Sequence, residues 1–108
     1  MLALDALGNP VRRDILQLLQ AQPMAVGSIA EHFPISRPAV SRHLRVLREA
    51  GLITVTAQGR ENLYALQIDG FAQAQGWLEG FWDEALMRYV LVTENTAQSA
   101  VQASVETP

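Results

Sequence analysis

The chain has no cysteine and no lysine, and only two tryptophans, two tyrosines and three phenylalanines among its 108 residues. Without cysteine there is no disulfide, no thiolate metal site and no thiol nucleophile. No apolar run approaches the ~20 residues that a membrane-spanning helix needs. The opening stretch, MLALDALGNPVRR, lacks a basic leader, a continuous apolar segment and a small-residue cleavage site, so it does not read as a signal peptide. Gly-rich phosphate loops and metal-ligand clusters are missing too, and the few serines have no His–carboxylate partner in reach. The chain therefore reads neither as an enzyme nor as the holder of a cofactor. What is present is 49% apolar and 18% charged, too hydrophobic for a disordered chain and about one domain in length. A cytoplasmic domain with no membrane contact is the expectation.

The net charge of −3 conceals a polarity along the chain. Residues 35–60 carry Arg37, Arg42, Arg45, Arg48 and Arg60 against Glu49 alone. Residues 61–108 carry Arg88 against Glu61, Asp69, Glu79, Asp83, Glu84, Glu94 and Glu106. For an anionic partner such a basic middle matters more than the total. Every cation is arginine, whose planar fork of donors suits phosphate and guanine edges. A codon bias accounts for the missing lysine equally well.

Asn9-Pro10 reads as a helix start, because Asn can cap and Pro fits the first helical position. Val11, Ile15, Leu18 and Leu19 follow at helical spacing until Gln22-Pro23. A short apolar segment, Leu2, Leu4 and Leu7, precedes this helix and breaks at Gly8. Val26, Ile29, Ala30 and Phe33 predict a two-turn helix closed by Pro34. Ser36 then caps a longer helix over residues 37–50, with Val40, Leu44 and Leu47 facing inward and Gly51 as its left-handed stop. The β-branched stretch 52–57, the Gln58-Gly59 turn and the segment 62–68 predict a hairpin. From about Phe71 to Val92 the pattern is helical again. Residues 1–94 are expected to form one domain, and the small, polar, unpatterned residues 95–108 a disordered tail.

The two helices flanking Pro34-Ile35-Ser36 make a helix-turn-helix. Opposite the apolar stripe of its second helix, Arg37, Ser41, Arg45 and Arg48 share one face, with Arg42 beside it. A helix of this kind is what the major groove accepts. Ser36, Arg37, Ser41 and Arg42 crowd the end that reaches base edges, while Arg45 and Arg48 lie further along, towards the backbone. The hairpin is the natural wing, with Arg60 at its tip reaching the minor groove or a phosphate. Arg12 and Arg13 read as surface ion pairs with Asp14 or Glu31. His43 reads as a packed, hydrogen-bonded histidine and His32 as a solvent-edge residue. The fold expected is mostly α with a small β-hairpin, a winged helix-turn-helix, and its partner double-stranded DNA.

The segments ALGNPVRRDILQLL, SRPAVSRHLRVLREAGLITV and LYAL together resemble the ArsR/SmtB-type winged-helix repressors, from about residue 3 to 92. The resemblance implies a homodimeric transcriptional repressor joined through its first and last helices. It places DNA contacts on Arg37, Pro38, Ser41 and Arg42, with the wing at Gln58–Asn62, so that Gln58, Arg60 and Asn62 join the set. Pro38 replaces a small hydroxyl often seen there, and Ala25 stands where a capping Ser or Thr usually opens the third helix. The metal-sensing members use cysteines in the recognition-helix region, or His and carboxylates on the last helix. Here the last helix offers Glu79, Asp83 and Glu84 but no His, so no metal site is expected and the chain resembles a non-metal subgroup.

Phe71, Trp77, Leu78, Phe81, Trp82, Leu86, Met87 and Tyr89 put more apolar area on the last helix than a small winged helix can cover alone. Pairing with a second copy would cover it, with Leu2, Leu4, Leu7, Leu78, Phe81, Trp82, Ala85 and Tyr89 as the expected interface. Two alternatives stay open: a pocket for an apolar small-molecule ligand near the aromatic helix, and a winged helix used for protein–protein contact. The arginine face argues against the second.

Overall fold

A computed structural model describes the backbone of residues 2–106 and the side chains of residues 2–94. The chain divides into two compact units, one reaching to Gln75 and one starting at Gly76. In the first, a four-residue helix α1 (Ala3–Ala6) precedes α2 (Pro10–Ala21). The expected start of α2 is found: Asn9 Oδ1 accepts from the Arg12 backbone N–H at 3.1 Å, with Pro10 in the first turn. Helix α2 buries Ile15, Leu16 and Leu19. In α1 the residues facing the core are Ala3 and Ala6; Leu4 and Leu7 are half-buried and Leu2 is 62% exposed.

So short a helix cannot hold itself, and two arginines hold it. Arg12 donates from Nε to the Ala6 carbonyl at 2.7 Å and from Nη2 to that of Asp5 at 3.3 Å. Arg13 Nη1 donates to the Leu7 carbonyl at 2.8 Å. The ion pairs expected with Asp14 or Glu31 are not formed. Carbonyls at a helix C-terminus lack partners and carry its negative pole, and they compete successfully for the cations.

Strand β1 (Met24–Ala25) leads directly into α3 (Val26–Ala30), whose N-cap, Ala25, makes no side-chain cap bond. Helix α3 is shorter than its apolar spacing predicts. Past Ala30 the chain tightens into turns in which the N–H groups of His32 and Phe33 donate three residues back, to Ile29 and Ala30. Phe33 still packs against the core. The turn between the two helices therefore spans residues 31–36. Ser36 Oγ then accepts from the Ala39 N–H at 3.2 Å and opens α4 (Arg37–Glu49). Val40, Leu44 and Leu47 are buried, as the stripe predicts.

Helix α4 ends in a Schellman turn: the N–H of Leu52 reaches the carbonyl of Leu47, that of Gly51 reaches Arg48, and Gly51 takes φ +73°. Strands β2 (Ile53–Gln58) and β3 (Glu61–Leu66) form the hairpin, with Gln58 opposite Glu61. Strand β1 adds to the other edge of β3, giving a three-stranded antiparallel sheet of order β1-β3-β2. Helix α5 (Ile68–Glu106) begins earlier than expected, since Ile68 is its first residue and not part of the strand. Its first turn is anchored where Gly70 N–H meets the Gly51 carbonyl at 2.8 Å. Phe71 and Ala74 join the core, and Gln73 Oε1 accepts from the Ala3 N–H at 3.4 Å.

From Gly76 onward the second unit is the continuation of α5. The helix does not stop near Val92, because from Phe81 to Glu106 there is neither Gly nor Pro to stop it. The packing of residues 95–108, and with it the tail expected there, lies outside the described side chains. Trp77 and Phe81 stack with ring centroids 5.3 Å apart. No helix among the described residues is long and apolar enough to cross a membrane.

Candidate nucleic-acid interface

Burial of Val40, Leu44 and Leu47 fixes the rotation of α4. Ser36, Arg37, Pro38, Ser41, Arg42, Arg45 and Arg48 are all exposed as a result. Pro38 occupies the first turn, where its missing N–H costs no helix bond. The Ser36 cap satisfies one of the free N–H groups at the same end. The Arg37 guanidinium reaches back over α3, where a Cβ on Gly27 would lie 3.9 Å from Nη1.

The wing places its residues by a two-residue loop. Gly59 takes φ +62°, the conformation that a tight hairpin requires at its first loop position, and Arg60 follows at the tip. Gln58, Arg60 and Asn62 are exposed. No guanidinium of Arg37, Arg42, Arg45, Arg48 or Arg60 makes a hydrogen bond or ion pair with another described residue. Five unneutralised guanidiniums thus project from one helix and one hairpin tip, which is the electrostatic footprint of a polyanion site.

His43 is half-buried on α4 and its ring makes no hydrogen bond among the described residues, which corrects the bonded histidine expected from sequence. Burial, then the charges of Arg12 and Arg42, hold its pKa below the usual 6.5. His32 is exposed as expected, its Nδ1 2.9 Å from the Ser28 carbonyl.

Two residues that the sequence did not single out share a cleft with the arginines. It encloses about 610 Å³ between α4 and the sheet and is lined by Ser41, Leu44, Arg45, Arg48, Glu49 and Tyr64. A smaller groove of about 400 Å³ lies on the first unit between Leu7, Leu16, Leu66 and Phe71, with Arg13, Gln17 and Gln20 along its edge. The expected interface residues Leu78, Phe81, Trp82 and Tyr89 are at least half exposed on the second unit, and Ala85 is half-buried there.

Known proteins share this architecture. A helix-turn-helix domain family matches residues 7–56. The transcriptional regulator Rv2034 of Mycobacterium tuberculosis is 39% identical over 93 residues, covering 86% of this chain and 87% of the relative. A crystal structure described as a possible transcriptional regulator for arsenical resistance superposes with TM-score 0.73 at 42% identity, over 84% of this chain and 95% of that one. The chain belongs to the ArsR/SmtB-type winged helix-turn-helix repressors. A solution structure described as the homodimeric winged helix-turn-helix DNA-binding domain of a possible ArsR-family regulator from Mycobacterium bovis is 27% identical, with TM-score 0.61 over 80% of each chain. In an ArsR-type regulator α3 and α4 are the DNA-binding helix-turn-helix, and β2–β3 is the wing.

Proposed function

We propose that this ArsR-type protein is a cytoplasmic homodimeric repressor that reads an inverted-repeat operator and does not sense metal. The observation that carries the reading is the set of five unpaired arginines on α4 and the wing tip. Ser36, Arg37, Pro38, Ser41 and Arg42 read base edges from the N-terminal half of α4. Arg45, Arg48, Gln58, Arg60 and Asn62 hold the backbone. Residues 1–94 act as the DNA-binding domain, with 71–92 of α5 as its dimerisation segment. Leu2, Leu4 and Leu7 on the first unit, and Leu78, Phe81, Trp82, Ala85 and Tyr89 on the second, are the surfaces assigned to the partner chain. Two reading helices one turn of DNA apart (~34 Å) match a two-fold-symmetric site. The donor set supports the absence of metal sensing: there is no cysteine, and neither of the two histidines, His32 and His43, belongs to the α5 segment.

Selection of bound duplexes from a random pool, followed by titration of the winner at several salt concentrations, tests this. A symmetric site bound by two chains is expected, with affinity unmoved by added zinc. The Arg37→Ala/Arg42→Ala double variant should lose selectivity. Arg60→Ala should weaken all duplexes evenly and flatten the salt slope by about one unit per chain. Absence of any enriched site, or binding indifferent to salt, would instead favour a protein-contacting winged helix.

The groove between Leu7, Leu16, Leu66 and Phe71 favours one second reading. A small apolar molecule with an acceptor for Arg13 or the two glutamines would fit its lining. In that version the repressor is released by such a ligand, and Leu16→Trp, which fills the groove, should leave it permanently bound to its operator.

A further inference from the structure

The cleft between α4 and the sheet holds more hydrogen-bond donors than the chain satisfies. Arg45 and Arg48 line it from α4, and Tyr64 from the central strand β3, where Met24 and Val55 flank it in the ladder. Tyr64 is half-buried and packs against the core, yet its hydroxyl has no hydrogen-bond partner among the described residues. A tyrosine so placed ordinarily finds an acceptor. Both guanidiniums are equally unpaired, and Glu49, four residues after Arg45, closes no ion pair with either. Three donors from two elements therefore line one open cleft, and the one carboxylate beside them, Glu49, pairs with none of them.

We propose that this cleft seats one phosphate of the DNA backbone, held by Arg45 and Arg48 and by a hydrogen bond donated from the Tyr64 hydroxyl. The assignment rests on the DNA-binding reading of α4 given above. The C-terminal half of α4 cannot attract a phosphate through its dipole, since that end is negative. The attraction must come from side chains, and the sheet supplies the donor that the helix lacks. Glu49 is the one carboxylate lining the cleft, and it opposes the phosphate. A neutral hydroxyl adds a hydrogen bond without releasing a counterion, whereas each arginine does both, so the three donors leave different signatures.

The test uses the full chain and its Tyr64→Phe, Arg45→Ala, Arg48→Ala and Glu49→Gln variants. Each is titrated over a salt series against a labelled duplex of arbitrary sequence and against the selected operator. Tyr64→Phe should weaken both duplexes about tenfold per bound chain, the usual worth of a hydrogen bond to a charged group, with the salt slope unchanged. Each arginine variant should flatten the slope by about one unit per chain, and Glu49→Gln should tighten both duplexes. Neutral methylphosphonates placed singly along the operator add a readout that a merely structural tyrosine would not move. One position per half-site should weaken the parent and weaken Tyr64→Phe less, because there only the share of the two arginines is left to lose. Parent-like affinity of Tyr64→Phe, or a methylphosphonate profile identical to the parent's, overturns the phosphate seat alone. Failure of the parent to bind either duplex overturns the DNA reading, and the seat with it.

Discussion

Gly70 is the point where two backbone segments come closest. A Cβ there would lie 2.5 Å from the Ala50 carbonyl oxygen and 2.7 Å from the carbonyl of Gly51. Backbone atoms cannot swing aside, so Gly70→Ala must push the first turn of α5 off the end of α4 and lengthen the 2.8 Å bond from Gly70 to Gly51. We expect a loss of about 2–3 kcal/mol, read as a lower urea midpoint. Gly76→Ala is the control, since nothing lies within 4 Å of a Cβ there. His43 gives a second prediction at this scale. Its pKa is lowered in the folded state by burial and by Arg12 and Arg42. The unfolded chain therefore takes up the proton first, and stability that is intact above about pH 6.5 is lost as the pH falls through the folded value. Thermal melts from about pH 7.5 to 5.5 should show a smaller drop for His43→Gln than for the parent; equal drops would remove His43 as a cause. Of the residues behind these predictions, Gly51 was legible because EAGL is a local stop signal. Gly70 was not, because its constraint comes from a turn nearly twenty positions earlier in the chain. Arg12 and Arg13 were misread for the same reason: their partners are carbonyls, which carry no mark in a sequence.

Elements with strong local chemistry were readable, and those that depend on a neighbour were not. Helix α4 has a cap, an apolar stripe and a glycine stop within its own stretch, and the structure follows all three. The hairpin likewise follows from its β-branched strand and its Gly59 turn. Strand β1 has only two residues, Met24 and Ala25, and exists because Tyr64 and Leu63 offer them an open edge. Nothing within Pro23–Val26 announces that. Helix α3 misled in the opposite direction: Phe33 keeps the helical apolar spacing while its backbone has already left the helix. The weak start of α3 was legible, and the structure shows Ala25 as an N-cap without a side-chain bond. Ala25 has the extended backbone of a capping residue, with φ −77° and ψ 157°. Ala25→Ser should therefore supply the missing bond and raise stability by about 0.5–1 kcal/mol, seen as a higher melting temperature with no change in DNA affinity. A fall in stability would mean that the half-buried site cannot tolerate the hydroxyl. The exposed arginine face of α4 and the exposed wing tip were readable for a similar reason, since charge and periodicity coincide on one short segment. Tyr64 and Glu49 escaped because their cleft is assembled across the fold.

At the scale of the whole molecule, α5 shows the largest imbalance between what is apolar and what is covered. Trp77, Phe81, Trp82 and Tyr89 are 56%, 56%, 61% and 68% exposed, with Leu78, Leu86, Met87, Leu91 and Val92 beside them in sequence also exposed. Scattered exposed hydrophobics are ordinary, but a run of this density on one helix is what the proposed dimer would cover. If a second copy covers it, symmetry sets the size of the effect. A two-fold interface carries every substitution twice. Losing Trp82 should therefore remove about 2 kcal/mol on each side, or about 4 kcal/mol in all, which is on the order of a thousandfold in the dimer dissociation constant. Sedimentation of Trp82→Ala at concentrations where the parent is dimeric should show monomer, or aggregate where the remaining aromatics find other partners. Phe81→Ala should behave likewise, and both should bind a two-fold operator more weakly and with a shallower salt slope, because only one chain then engages it. An unchanged dimer in both variants would take α5 out of the interface and leave its aromatic surface to some other partner.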